Sequence, residues 1–296
     1  MLCTNVSITN VTFNSYRGYA IYAINVFGDT KLRHITITNS YAFLHGIRST
    51  NRTDLLESGS GVYLHFVDME TPLPTSYCII DITDDSKISN NWNVYPTFLL
   101  ENLHSIRLQN QPEDFPLSGG AALSVHLEQS HFKVKLDIDN METRNSMAST
   151  AGSMKIISRN TINNFDMNVT RCAFIGSGIF KYSNYFEGAG IQMFFDFSFD
   201  KLRDITETAG VEKASITICD SAFERNTARV GAAMAIFSEA QNVSDIEVNL
   251  KSILFIENEA SDDGDCIVAQ CEQSTYYQAK DLVLTLESIG QQHLAL

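Results

Sequence analysis

Proline is scarce in this chain of 296 residues, with five copies, and no stretch joins low hydrophobicity to Gly, Ser or charge enrichment over the length of a disordered linker. One continuous domain over 1–296 is therefore expected. Cationic side chains are also few. The 21 Lys and Arg against 35 Asp and Glu give a formal charge of −14, which repels a phosphate backbone and argues against nucleic acid as a partner. No apolar run approaches the ~20 residues of a bilayer-spanning helix; the richest, Ile191 to Phe199, is interrupted by Gln192 and Asp196. The opening Met1-Leu2-Cys3-Thr4 has neither the basic nor the apolar region of a secretory signal, and a fragment of a larger protein is the expectation. Six cysteines are too few to staple a chain of this size, and without CxxC or paired metal-ligand spacing neither a zinc site nor a cofactor is expected. Cys266 and Cys271 are weighed as a bridge in an oxidising compartment against buried thiols.

What the chain does contain is a repeat. A four-residue frame of Gly, any residue, a small residue and an aliphatic or Met occurs seven times: Gly18-Tyr19-Ala20-Ile21, Gly59-Ser60-Gly61-Val62, Gly120-Ala121-Ala122-Leu123, Ala151-Gly152-Ser153-Met154, Gly188-Ala189-Gly190-Ile191, Gly231-Ala232-Ala233-Met234 and Gly264-Asp265-Cys266-Ile267. Successive starts lie 41, 61, 31, 37, 43 and 33 residues apart, which suits one solenoid coil per copy, with room for an extra coil in the interval of 61.

Two alternations flank the frame. After it, apolar residues recur with period two, as in Val62/Leu64, Leu123/Val125 and Met234/Ile236. The residues between them (Tyr22, Tyr63, Ser124, Lys155, Gln192, Ala235, Val268) form an outward row that meets solvent or covering loops. Between frames a second strand recurs, in Val6 to Phe13, Ile35 to Asn39, Ile216 to Phe223 and Val248 to Phe255. Small residues at fixed points are expected where a β-helix wall bends, because a Cβ there meets the next coil. Asn10, Asn39 and Asn140, each two residues beyond an inward aliphatic, are expected to share one stacked position as an amide ladder. The pattern predicts an all-β, right-handed parallel β-helix solenoid of roughly seven to nine coils, some 35 to 45 Å long, with irregular loops at 46–58, 67–76 and 107–118. Its open ends are expected to expose unpaired strand groups prone to edge association.

Phe223-Glu224-Arg225-Asn226 before Gly231-Ala232-Ala233-Met234, and Phe255-Ile256-Glu257-Asn258 before Gly264-Asp265-Cys266-Ile267, resemble the paired FxxN and GGA[ILV] repeats of polymorphic outer-membrane-protein passenger domains, within the wider pectin-lyase-like β-helix group. Met141-Glu142-Thr143-Arg144-Asn145 is a degenerate relative. The resemblance implies an extracellular or cell-surface role, often adhesive, with a glycan or a cell-surface protein as partner.

An enzymatic alternative rests on Asp262-Asp263-Gly264-Asp265-Cys266-Ile267, which is similar to the Asp-Asp-Cys-Ile segment of polygalacturonase-type glycosidases. Acid and base would be Asp263 and Asp265, carboxylates at a separation that admits water. Gly264 splits the pair and the companion motifs of such enzymes are missing downstream, so a solvated turn is the expectation. Asp81, Asp84 and Asp85 likewise read as a polar turn rather than a cation site, and His65 and His126 as a surface pair on one outward row. Ile24, Ile157, Phe194 and Phe237 continue that row as an apolar stripe. Sequons at Asn5, Asn10, Asn51, Asn168 and Asn242 are candidate glycosylation sites, but 22 Asn with 50 Ser plus Thr give about four by chance, and Asn10 as a ladder residue would face inward. The reading is of a non-enzymatic surface scaffold, with a carbohydrate-active enzyme on the same fold as the alternative.

Overall fold

A computed structural model describes residues 4–14, 19–24, 26–39, 41–43, 61–67, 77–94, 122–128, 133–148, 151–159, 165–179, 188–196, 212–240, 244–264, 266–273 and 282–292. Every strand in it pairs in parallel, and each joins the strand one coil later rather than its neighbour in sequence. Four sheets result. Sheet I stacks eight strands from Thr4–Thr9 to Leu282–Glu287, and sheet II eight from Thr12–Asn14 to Gly290–Gln292. Sheet III holds six, from Tyr41–Phe43 to Glu259–Asp263, and sheet IV seven, from Ile21–Ile24 to Ile267–Gln273. This is a parallel β-helix solenoid, and its eight strands at about 4.8 Å per step span about 35 Å.

The glycine frames superpose. The last residue of each, Ile21, Val62, Leu123, Met154, Ile191, Met234 and Ile267, stands directly beside its equivalent in the next coil of sheet IV. Val62 pairs with Leu123 without an intervening strand, so the long 61-residue interval hides no extra coil in that sheet. The third frame residue supplies the carbonyl that holds the preceding coil: Val62 N–H donates to Ala122 O at 2.8 Å, Met154 N–H to Gly190 O at 3.0 Å and Met234 N–H to Cys266 O at 2.9 Å. A Cβ on Gly61 would lie 2.1 Å from Ala122 O, which is why the place admits only small residues. The leading Gly188, Gly231 and Gly264 have φ of 67°, 58° and 63°, a left-handed turn into sheet IV that a Cβ disfavours. Gly18, Gly59 and Gly120 lie outside the described residues.

The second recurring strand is in fact two. Between sheets I and II the chain turns on a single left-handed residue: Asn10, His34, Asn140, Arg171, Asp220, Ser252 and Ser288 all have φ between 48° and 57°, and Asp84 and Asp85 form that corner together. A second left-handed corner leads from sheet II to sheet III, at Asn39, Asn90, Asn145, Gly176, Arg225 and Glu257. Asn10 and Asn140 thus occupy the first corner and Asn39 the second, which corrects the single stacked ladder expected of them. All three are exposed, so Asn10 does not face inward. The Asn140 amide donates to Asp85 at 2.6 Å and that of Asn39 to Asn14 at 3.0 Å. They are Asn because that side chain tolerates positive φ.

The buried ladder lies one residue past the second corner. Asn91, Ser146, Ser177, Asn226 and Asn258 stack there, and the carbonyls of the first four each accept an N–H from the coil that follows. Side chains reinforce it: Asn226 Oδ1 accepts the Ser177 N–H at 3.0 Å, while its Nδ2 donates to Phe174 O and Asn258 Oδ1, both at 2.9 Å. Three residues earlier the rings of Phe174, Phe223 and Phe255 stack with centroids 4.9 and 5.5 Å apart. The Phe-x-x-Asn signature is therefore one ring stack and one amide ladder. The degenerate copy enters it with Thr143 in the Phe place and Ser146 in the Asn place.

The residue after the first corner builds a matching column. Ile35 N–H donates to Ser86 Oγ at 3.3 Å, Met141 N–H to Cys172 Sγ at 3.5 Å and Cys172 N–H to Ser221 Oγ at 3.1 Å. Cys172 is structural. Cys78, Cys172, Cys219 and Cys266 all carry thiols. Cys266 stands at the start of the strand that contains Cys271, and five extended residues separate Cα atoms by about 16 Å, too far for a disulfide. Burial pushes the Cys78 thiol up to about 12 and that of Cys172 to about 11. A thiol whose folded value exceeds its unfolded 9.0 adds stability that is complete below pH 9 and lost as pH rises toward 12. Urea titrations across that window should show the loss. Native protein at pH 8 should resist alkylation at both positions, as read by mass spectrometry, and rapid labelling of Cys172 would contradict its burial.

Candidate functional site

Two outer faces differ in kind. On sheet IV the outward side chains are largely inside the protein: Tyr63, Ser124, Lys155 and Ala235 are each 0% exposed and Gln192 is 2% exposed, with its Oε1 buried and unbonded. The row expected to meet solvent or covering loops is covered over most of its length, and Tyr22 and Ile24, at its first coil, are open at 44% and 47%. No acidic residue falls in the Tyr22 to Val268 row, as the spacing requires.

His65 and His126 stand opposite each other in adjacent strands, their rings 6.1 Å apart and edge-on. His126 is buried at 1% exposure, which corrects the expectation of a surface pair. Tyr63 stacks on Tyr22 at 5.3 Å and 7°, and its hydroxyl bonds His126 Nδ1 at 3.1 Å. The alternation of Tyr63 and His65 placed both on one outward face; their burial depends on what lies over the sheet, which strand periodicity does not encode. Tyr63→Phe removes that hydrogen bond from a buried imidazole and should cost about 1 to 2 kcal/mol, read as a fall in urea midpoint at unchanged slope. Ile157 in the second row is buried, and Phe194 and Phe237 are half-buried, so the apolar stripe is open at Ile24.

Sheet I presents the opposite face, polar and accessible through all eight strands. One outward row runs in register through Ser7, Lys31, Asp81, Asp137, Asn168, Thr217, Asn249 and Thr285. Asp81 and Asp137 are direct neighbours in it. Partial burial, then the Asp137 charge, raises the Asp81 carboxyl above its usual range, while Lys31, Lys135 and Arg33 pull it back. Lys135 binds Asp137 at 2.5 Å, Asn168 donates to Asp137 at 2.8 Å and Lys133 binds Asp166 at 2.9 Å. These pairs are part-exposed and fix side-chain directions more than they stabilise the fold. Asp84 and Asp85 form the corner, as a polar turn should, and Asp81 belongs to the strand before it. Among the described residues no three His, Cys, Asp or Glu converge as a metal site.

Asp263 ends a sheet III strand opposite Val230, and Asp265 lies outside the described residues. Of the sequons, Asn5 accepts the Asp29 N–H at 3.0 Å and Asn168 lies on the sheet I row; Asn51 and Asn242 are outside the described residues. Loops 46–58, 68–76 and 107–118 are also outside them, Val67 being the last residue of a strand. No described helix is long and apolar enough to cross a membrane. No family model, curated protein or solved structure matches the chain.

A cavity of about 330 Å³ opens at the first coil. Val6, Ile8, Ile21, Ala23, Leu32 and Leu64 line it, and the Thr30 hydroxyl is buried among them without a hydrogen-bond partner.

Proposed function

We propose that this protein is a non-enzymatic scaffold of the extracellular space or cell surface, which holds a glycan or a surface protein against an extended polar face. The observation that carries the reading is the sheet I row. From Ser7 to Thr285 the row passes in register through all eight strands and repeats a hydrogen-bonding side chain about every 4.8 Å, with both charge signs and amides on one accessible surface. A rigid, pre-ordered row loses little entropy when an extended polar partner lies along it. The FxxN and glycine-frame resemblance to polymorphic outer-membrane-protein passenger domains supports the surface placement.

The test is binding of the purified chain to glycan arrays and to cell surfaces, with Asn168→Lys and Thr217→Lys on the row. Each should weaken binding about tenfold, equivalent to about 1.4 kcal/mol, without changing the fold. Turnover of uronate or neutral polysaccharides, abolished by Asp263→Asn, would replace this reading with the enzymatic one. A chain that binds nothing on either array would be a spacer and would equally overturn it.

A further inference from the structure

We infer that the ligand of the sheet I face is an uncharged oligosaccharide, seated across Asn168, Thr217 and Asn249. This rests on the reading of that face as the binding surface, and it assigns the chemistry that the surface takes. The three residues stand side by side in the outward row, on strands Phe165–Thr170, Glu212–Cys219 and Ser244–Lys251, so the two asparagines lie two steps of about 4.8 Å apart. All three are half-buried.

The charges around them cancel in pairs. Lys135 holds Asp137 at 2.5 Å, Lys133 holds Asp166 at 2.9 Å and Arg171 holds Asp139. Lys251 holds Glu287 at 3.2 Å. A uronate or a sulfated sugar would therefore meet cations already committed to carboxylates, and would lie against Asp137, Asp166 and Glu247. A cationic ligand would have to displace Lys133 or Lys135, while Glu247 is exposed, bonded by the Asn249 amide and screened by water.

What is left to bond is neutral. Asn168 Nδ2 donates to Asp137 Oδ1 at 2.8 Å, and Asn249 Nδ2 to Glu247 Oε1 at 2.9 Å. These bonds fix both amides, since a flip would set oxygen against carboxylate oxygen, and they leave each Asn Oδ1 as an open acceptor. Between them, among the described residues, the Thr217 hydroxyl bonds no other group, and neither does Ser215 beside it. Amide oxygens alternating with a hydroxyl match the hydroxyl groups of a sugar chain, each of which donates and accepts. A protein partner fits less well. The centre of a protein interface is apolar and aromatic, whereas the outward side chains described on these three strands are Asp, Asn, Ser, Thr, Cys, Glu and Lys alone.

The purified full chain is titrated against immobilised cello-, manno- and galacto-oligosaccharides, which are neutral, beside cationic chitosan oligomers and anionic polygalacturonate. At least one neutral series should bind about tenfold more tightly than either charged chain. Raising salt from about 0.1 to about 1 M, which shortens the screening length from about 10 to about 3 Å, should change that binding less than about twofold. Thr217→Val keeps the β-branched shape and removes the hydroxyl, so it should weaken binding about fivefold with melting unchanged. Preference for a charged chain, loss of binding in high salt, or capture of a cell-surface protein through this face without any neutral glycan overturns the inference alone. Neutral-glycan binding untouched by both Thr217→Val and Asn168→Lys overturns it by putting the sugar elsewhere on the protein. Absence of any binding, to glycans or to cells, removes the reading beneath it as well.

Discussion

Asn226→Ala should destabilise the protein by about 3 kcal/mol or more. The amide is 0% exposed and serves two coils: its oxygen accepts the Ser177 N–H, and its nitrogen bonds Phe174 O and Asn258 Oδ1. Truncation takes the side-chain partner from the buried Ser177 N–H and Phe174 carbonyl, while Asn258 Oδ1 keeps the Asn226 N–H at 3.1 Å; each group left bare costs about 1 to 3 kcal/mol, and a small void opens. Because every coil touches only its neighbours, the loss should be local before it is global. Hydrogen exchange should rise first in residues 173–179, 222–230 and 254–263, ahead of the urea transition. Asn226→Ser is the informative control. Serine occupies the same place at Ser146 and Ser177, so it should recover part of the lost stability. Equal effects of Ala and Ser would mean that the ladder hydrogen bonds contribute little.

Gly190→Ala should cost a comparable amount for a different reason. A Cβ there would sit 2.3 Å from Ala233 O and 2.8 Å from Phe223 Cδ1, in a wall whose strands cannot separate without breaking the Ile191 N–H bond to Ala233 O at 2.9 Å. Overpacking of this kind costs about 3 kcal/mol. The substitution should lower the urea midpoint and raise exchange in both coils. Gly178→Ala is the comparison, since its Cβ would approach nothing nearer than the Thr227 hydroxyl at 3.1 Å, a side chain that can rotate away. A Gly190→Ala protein as stable as wild type would show that the coil spacing yields, and the small-residue rule of the frame would lose its physical basis.

The stacking of distant parts of the chain was legible because the repeat marks it at each coil: seven frames at unequal spacing share one register column, loops notwithstanding. The corners were not. Val6 to Phe13 reads as one alternating strand, yet the left-handed residue at Asn10 divides it between two sheets. A single αL residue reverses no hydrophobic pattern that a period-two scan can detect. The same ambiguity merged Asn39 with Asn10 and Asn140, since both corners select residues that tolerate positive φ. The true ladder was visible only in the two copies that keep Phe and Asn. Where Ile88 precedes Asn91, Thr143 precedes Ser146 or Ser177 follows Phe174, one or both side chains had drifted while geometry held.

The sequence by itself determined the solenoid, its register and the small-residue wall of sheet IV, because each follows from local periodicity and from how closely stacked backbones approach. Tertiary structure decided which outer face is covered and which is open. Tyr63, Ser124 and Lys155 alternate as strand residues just as Asp81, Asp137 and Asn168 do, yet the first three are buried and the second three half-exposed. Alternation fixes the side of a sheet on which a residue lies, and burial depends on what is packed above it.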